Sequence, residues 1–229
     1  MSAPTEVAEG IWRWTARHPE WHPGEFGAEV ASFALAAGDE VLLVDPLLPD
    51  RPEDQDARLE LLDRLAAERA GPGRAHMLIT IGYHVRSAEL LAERYGSRVY
   101  GPPSCATRLR DPGLLTDLTP DASGPAGAAA FAIGRPQRTE RPLWLPSHRV
   151  LAFGDALVTT PGGELRMWAT DPVDDKRRRF YRERFAPTLA PLLELPVEHV
   201  LVTHGAAIVG GAAEALREAV SAEPWYHRG

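Results

Sequence analysis

Apolar residues recur along this chain with two spacings, and together they predict an α/β protein. Runs and alternating stretches of strand length occur at residues 7–16, 29–36, 40–45, 77–80, 98–100, 131–134, 142–145, 150–153 and 199–202. Apolar residues at helical spacing occur at residues 53–70, from Ser87 through Tyr95, at 173–195 with a break expected near Pro187 or Pro191, and at 212–220. Because no clear linker interrupts this order, we expect one domain, residues 1–229, built on mixed β-sheet.

Several short motifs follow one another in a fixed order along the chain. They are VLLVDPLLP at 41–49, HMLIT at 76–80, YGSRVYGP at 95–102, LPSHRVLAFGDALV at 145–158 and HVLVTHG at 199–205. In this order they resemble the metallo-β-lactamase superfamily, and the resemblance extends from about Glu29 to Val220. It implies a four-layer αββα sandwich, in which two mixed β-sheets pack face to face between helices. It also implies an active site at one edge, where the loops converge.

The chain departs from this family's pattern at the metal ligands. The family's zinc loop reads T-H-x-H-x-D-H, whereas residues 80–86 read Thr-Ile-Gly-Tyr-His-Val-Arg. The four ligand positions therefore fall on Ile81, Tyr83, Val85 and Arg86, and no histidine lies between His84 and His148. Of the usual ligands only Asp155 and His204 remain. The standard dinuclear zinc site is therefore not expected.

Three hypotheses remain for the polar residues of these loops. In the first, His84, Asp155 and His204 converge and hold one divalent metal ion, zinc or iron, in a facial arrangement. In the second, the site is metal-free: His84 or His204 is a general base, Asp155 orients it, and Arg86 holds an anionic group. In the third, these side chains only hydrogen bond the loops together.

Other residues near these loops have weaker assignments. Asp45 ends its strand and is expected to brace the neighbouring loop. His18 and Trp21 lie in the segment HPEWHP, which forms either a lid or ligand wall near the site or an ordinary connection. Tyr83 is either a phenol donor to a ligand or the bulk that fills the lost metal cavity.

Composition excludes several classes of function. A formal net charge of −7 and a pI near 5.6 argue against nucleic-acid binding, which needs a basic face. Cys105 is the single cysteine, so no internal disulfide forms, as is usual in the cytoplasm. No apolar run approaches the roughly 20 residues that cross a bilayer. We therefore expect a cytoplasmic protein with a small-molecule ligand, without a nucleic-acid or membrane partner.

These observations lead to two predictions of function. The first is a divergent small-molecule hydrolase, or related acid-base enzyme, that acts on an ester, lactone or thioester with at most one metal ion. The alternative is a pseudoenzyme, a ligand-binding or scaffolding protein that retains the fold without the chemistry. The sequence does not indicate the oligomeric state.

Overall fold

A computed structural model describes residues 4–22, 27–68 and 73–226. The first half contains β1 (Thr5–Ala8), β2 (Ile11–Arg17), β3 (Glu29–Ala37), β4 (Glu40–Val44), α1 (Pro52–Glu68), β5 (Ala75–Leu78), α2 (Ala88–Tyr95), β6 (Val99–Gly101) and β7 (Leu115–Asp117). The second half contains β8 (Ala129–Ala130), β9 (Leu143–Leu145), β10 (Val150–Phe153), β11 (Leu157–Thr159), β12 (Leu165–Met167), α3 (Asp175–Phe180), α4 (Ala190–Leu193), β13 (His199–Val202), β14 (Ile208–Val209) and α5 (Ala212–Ser221).

The strands form two large mixed sheets and one hairpin. The first sheet has the order β1-β2-β3-β4-β5-β6-β7, antiparallel from β1 to β4 and parallel from β4 to β7. The second sheet has the order β14-β13-β10-β9-β8, and its only parallel pair within the described residues is β10 with β13. Strands β11 and β12 pair separately as an antiparallel hairpin.

Three groups of buried apolar side chains show how these elements stack. The inner faces of the two large sheets share a core that includes Phe33, Leu42, Leu143 and Leu201. The outer face of the first sheet packs against α1 and α2 through Leu43, Met77, Leu61 and Leu91. The outer face of the second sheet packs against the 175–193 segment and α5 through Phe153, Phe185 and Leu216. The layers are therefore helix, sheet, sheet, helix, as the motif order implied.

Most predicted elements are present, with shifts that have local causes. The strand predicted at 7–16 is two strands, because Gly10 adopts a φ of 70° and turns the chain between them. The helix predicted at 53–70 is described as far as residue 68, and residues 69–70 lie outside the described ranges. The helix predicted at 173–195 is broken, passing from α3 through a π turn and a 3-10 turn to α4. Pro187 lies in the 3-10 turn, and Pro191 lies in the first turn of α4, where a proline is tolerated.

Other predictions about strands were wrong. The strand predicted at 131–134 is not present; the ladder is confined to β8, and the N–H of Gly134 donates to the hydroxyl of Thr188 instead. The sequence reading also missed β7, β11 and β12, each of three residues. Strands this short give no readable alternation. No helix among the described residues is both long enough and apolar enough to cross a membrane.

The core between the two sheets provides a test of the layer arrangement. Leu42→Ala removes a fully buried side chain there and is expected to lower the free energy of unfolding by about 2–5 kcal/mol. Leu90→Ala, at an exposed position of α2, is the control and should change it by no more than about 0.5 kcal/mol. Denaturant titrations measure both values, and equal effects would contradict the assigned core.

Candidate functional site

The site lies where parallel strands of both sheets end. Asp45 follows β4 and His84 follows β5 in the first sheet, while Asp155 follows β10 and His204 follows β13 in the second. The carboxyl ends of parallel strands lie at the same edge of a sheet, which is the usual position of sites in α/β proteins. The structure brings three sequence-predicted residues, His84, Asp155 and His204, together with Asp45 at this edge.

Asp45 braces the loop after β5, as the sequence predicted. Its Oδ1 accepts a hydrogen bond from the backbone N–H of Thr80 at 2.9 Å, and its Oδ2 accepts one from the Thr80 hydroxyl at 2.6 Å. Oδ2 also lies 2.9 Å from Nδ1 of His84. The backbone of Asp45 has a φ of 47°, a strained conformation for a residue other than glycine, and Ser32 donates to its carbonyl at 2.8 Å.

His84 is a buried imidazole between two carboxylates. It ends a 3-10 turn, Gly82–His84, and its Nε2 lies 3.5 Å from Oδ1 of Asp155 while its Nδ1 contacts Asp45. Burial and the nearby Arg86 favour a lower pKa for His84. The charges of Asp45 and Asp155 outweigh them and raise the pKa from 6.5 to about 9. His84 is therefore a cation at neutral pH.

Asp155 connects the two imidazoles. Its Oδ1 lies 3.5 Å from Nε2 of His84 and 3.6 Å from Nε2 of His204, and its side chain is the most accessible of the three at 17% exposed. Burial favours a higher pKa for Asp155, but His84, then His204 and Arg86, lower that pKa well below the usual range. Asp155 is therefore ionised across the physiological pH range.

His204 differs from His84 in its charge state. Burial lowers the pKa of His204 from 6.5 to about 4, and the positive charges of His84, Arg86 and His18 add to this effect against the opposing effect of Asp155. The ring centres of Trp168 and His204 lie 5.8 Å apart. At neutral pH His204 is thus uncharged and able to accept a proton.

The glycine after His204 fixes the loop. Gly205 has a φ of 91°, and a Cβ at this position would lie 2.2 Å from the carbonyl oxygen of Thr159. The N–H of Thr159 in turn donates to the carbonyl of His204 at 3.0 Å. The hairpin that begins with β11 therefore holds the histidine loop by close backbone contact.

Arg86 brings a second positive charge to the site. Its backbone has a φ of 44°, and its Nη1 donates to the carbonyl of Asp45 at 3.2 Å. Its Nε is buried and forms no hydrogen bond among the described residues. Burial lowers the pKa of Arg86, and Asp45 and Asp155 oppose that change, so the guanidinium remains charged.

The predicted ligand-binding residues lie at the periphery. His18 is close enough to His204 to influence its pKa. Trp21 is half-buried beneath Arg17, whose guanidinium carbon lies 4.9 Å from the ring centre. Tyr83 is 60% exposed, so it does not fill a cavity; the guanidinium carbon of Arg108 lies 4.7 Å from its ring centre. Ligand contact by these residues stays a prediction.

The sequence reading missed a third carboxylate of the site, that of Glu140. This side chain is fully buried and accepts hydrogen bonds from the backbone N–H groups of Gly154, Asp155 and Ala156. Glu140 lies in the polar run QRTER, which by itself is typical of a solvated loop. Its partners are backbone groups, so no pattern of side chains could have indicated it.

The charges of the site balance without a metal ion. The described residues contain no group of three or more His, Cys, Asp or Glu side chains arranged to hold one. Both nitrogens of His84 face carboxylates, Nδ1 at 2.9 Å from Asp45 and Nε2 at 3.5 Å from Asp155. Asp155 and His204 alone supply fewer than the three protein ligands of a catalytic zinc site. Two cations, His84 and Arg86, instead balance the charges of Asp45 and Asp155.

Comparisons with solved structures agree with this architecture. A metallo-β-lactamase from Erythrobacter litoralis superposes with a TM-score of 0.60 at 15% identity, covering 95% of each chain. One from Pontibacter korlensis gives 0.60 at 13% identity, covering 96% of this chain and 99% of that one. FIM-1 from Pseudomonas aeruginosa, in its mono-zinc form, gives 0.58 at 16% identity and 96% of each chain. No protein-family profile and no curated protein sequence matches this chain. The chain has the metallo-β-lactamase fold.

The charge state of His84 predicts how stability depends on pH. Its folded pKa of about 9 is above the unfolded value of 6.5, so its stabilisation is fully present below about pH 6.5 and is lost as pH rises through 9. The free energy of unfolding should fall by up to about 1.4 kcal/mol per pH unit over that window. His84→Gln should lose the His84 contribution and show a smaller fall between about pH 6.5 and 9, as measured by denaturant titrations at each pH.

His148→Gln provides the matched control for this measurement. His148 precedes β10, at the opposite end of that strand from Asp155. The control should keep the wild-type dependence on pH. A His84→Gln variant that also keeps it would contradict the charged state assigned to His84.

Proposed function

We propose that this protein is a hydrolase-like enzyme that acts on an ester, lactone or thioester by acid-base chemistry, without a dinuclear zinc centre. One observation carries the proposal: Asp155 lies between two imidazoles whose pKa values are displaced in opposite directions. Paired groups whose environments separate their pKa values are typical of acid-base sites. A purely structural cluster has no need for one charged and one neutral imidazole.

Each residue has a defined part in the proposed reaction. Neutral His204 removes a proton from a water molecule oriented by Asp155, and the resulting hydroxide adds to the carbonyl carbon of the substrate. Negative charge then develops on the carbonyl oxygen, and the positive charges of His84 and Arg86 stabilise it. The carbon–oxygen or carbon–sulfur bond breaks, and protonated His204 returns its proton to the leaving group.

A second candidate is a binding protein without turnover. Its support is the internal charge balance, because His84 and Arg86 neutralise Asp45 and Asp155 within a set that is complete in itself. The buried Nε of Arg86, which has no hydrogen-bond partner among the described residues, would then receive an anionic group of the ligand. Activity measurements separate the two candidates, since this second one predicts binding without product.

The pH dependence of turnover tests the enzyme proposal. We expect kcat/KM to rise as His204 loses its proton near pH 4 and to fall as His84 loses its proton near pH 9. His204→Gln should lower kcat/KM by about 100-fold or more and remove the acidic limb. Asp155→Asn should lower kcat with a smaller effect on KM. A panel of esters, lactones, thioesters and β-lactams supplies the substrates.

The panel includes β-lactams because the names of the structural neighbours are those of β-lactamases. His148→Gln, on the turn before β10, is the control and should retain wild-type activity. Absence of turnover on every substrate would overturn the enzyme proposal and favour the binding protein. Full activity in His204→Gln would overturn the role assigned to His204.

Metal analysis tests the donor set. We expect purified protein to contain less than one equivalent of zinc, iron or manganese per chain after loading and dialysis, because two donors hold such ions weakly. Treatment with a chelator should leave activity unchanged. Elemental analysis gives the stoichiometry. A content of about one metal ion per chain that is lost in His204→Ala would contradict the metal-free site. A content of about two metal ions per chain would show that the protein has a dinuclear centre.

A further inference from the structure

Glu140 is a buried carboxylate to which the proposed reaction assigns no step. It lies in the loop before β9 and is fully inaccessible to solvent. Oε1 accepts the N–H of Gly154 at 2.9 Å, and Oε2 accepts those of Asp155 at 2.8 Å and Ala156 at 2.7 Å. No Arg, Lys or His in the described parts of the chain forms an ion pair with Glu140, so these N–H groups compensate its burial.

The three donors belong to the turn that carries Asp155. Fixing three consecutive N–H groups fixes the backbone of that turn, and hence the direction of the Asp155 side chain. The next residue, Arg141, donates its N–H to the carbonyl of Thr80 at 2.8 Å. The segment 140–141 therefore joins the Asp155 turn to the loop that begins at Thr80 and contains His84.

Close packing leaves this turn little freedom to move. A Cβ at Gly154 would lie 2.6 Å from the hydroxyl of Thr80 and 3.3 Å from Cε1 of His84. The turn thus rests directly on the His84 loop. Hydrogen bonds to Glu140 and close packing against Thr80 and His84 therefore both hold the turn that carries Asp155.

We propose that Glu140 is a positioning residue, whose carboxylate holds the turn 154–156 so that Oδ1 of Asp155 lies between His84 and His204. Only a carboxylate of this length satisfies all three donors. A glutamine would direct an NH2 group at an N–H donor, and an aspartate would be one methylene too short. Its catalytic consequence rests on the proposed function, but the positioning itself does not.

Opposing effects act on the charge of Glu140. Burial, followed by the charge of Asp155, raises the pKa of Glu140, while the N–H donors of Asp155, Gly154 and Ala156 oppose the rise. Both oxygens accept N–H groups, and this geometry favours the ionised carboxylate. Burying a carboxylate so close to another one is unfavourable. The cost is consistent with a residue kept for the geometry it imposes on its neighbour.

Histidine titration by NMR tests the proposal without any substrate. With ring-15N-labelled protein, we expect the midpoint of His84 to fall by about 1 unit in Glu140→Gln and Glu140→Asp, because displaced Asp155 no longer favours the imidazolium. Asp155→Asn should give a similar fall. In the Asp155→Asn background, Glu140→Gln should cause no further shift, since both act through the same carboxylate.

Ser97→Ala is the control for general loss of stability. Ser97 is buried and donates to the carbonyl of Ala75, at the opposite end of β5 from Thr80. Its removal should leave the His84 midpoint unchanged. An unchanged midpoint in both Glu140 variants, or an equal fall in Ser97→Ala, would overturn the proposal.

Two further measurements complete the test. If neither Glu140 variant folds, amide exchange in the wild type decides: slow exchange at 154–156 supports the proposal, and rapid exchange overturns it. If the protein hydrolyses a member of the substrate panel, Glu140→Gln should lower kcat by about 10-fold or more with little change in KM. A titration shift in a protein without turnover would refute the proposed function while leaving the positioning role intact.

Discussion

The rest of the site depends on the contacts that the Asp45 carboxylate makes with Thr80 and His84. This carboxylate joins the end of β4 to the loop after β5 through Thr80, and it places His84 with one nitrogen satisfied and the other directed at Asp155. The strained backbone of Asp45 persists because Ser32 holds its carbonyl. Without this brace His84 would lose both its orientation and one of the charges that keep it protonated.

Charge compensation explains how so many ionisable groups share one interior. Two cations balance Asp45 and Asp155, three backbone N–H donors compensate Glu140, and His204, being neutral, adds no charge. In a site of this fold with metal ions, the ions would supply the positive charge. Here Arg86 and His84 are part of the chain itself, so the positive charge at neutral pH needs no bound ion and its position is fixed by the fold. Such preorganisation suits stabilisation of a developing anion.

The fold was predictable because it rests on long apolar strands and on motifs at strand ends. Asp155 and His204 were predictable for the same reason, since each follows a buried strand directly. His84 was found one position away from the family's register, yet the 3-10 turn directs its side chain into the site. Glu140 was not predictable, because its three partners are backbone N–H groups 14 to 16 residues away. Short strands such as β8 were also not predictable, because two residues cannot show the alternation of apolar and polar positions that identifies a strand.

The convergence of loops from both sheets has a consequence for how the molecule is made. The charged cluster joins residues separated by more than a hundred positions, and Trp168, which packs on His204, is held by a backbone bridge to Trp225. Contacts of such long range form slowly. During synthesis the first sheet can emerge with its carboxylates still hydrated, and their burial must wait for the second. The site can therefore assemble only after His204 has been synthesised, and the bridge that supports Trp168 only after Trp225 has been synthesised.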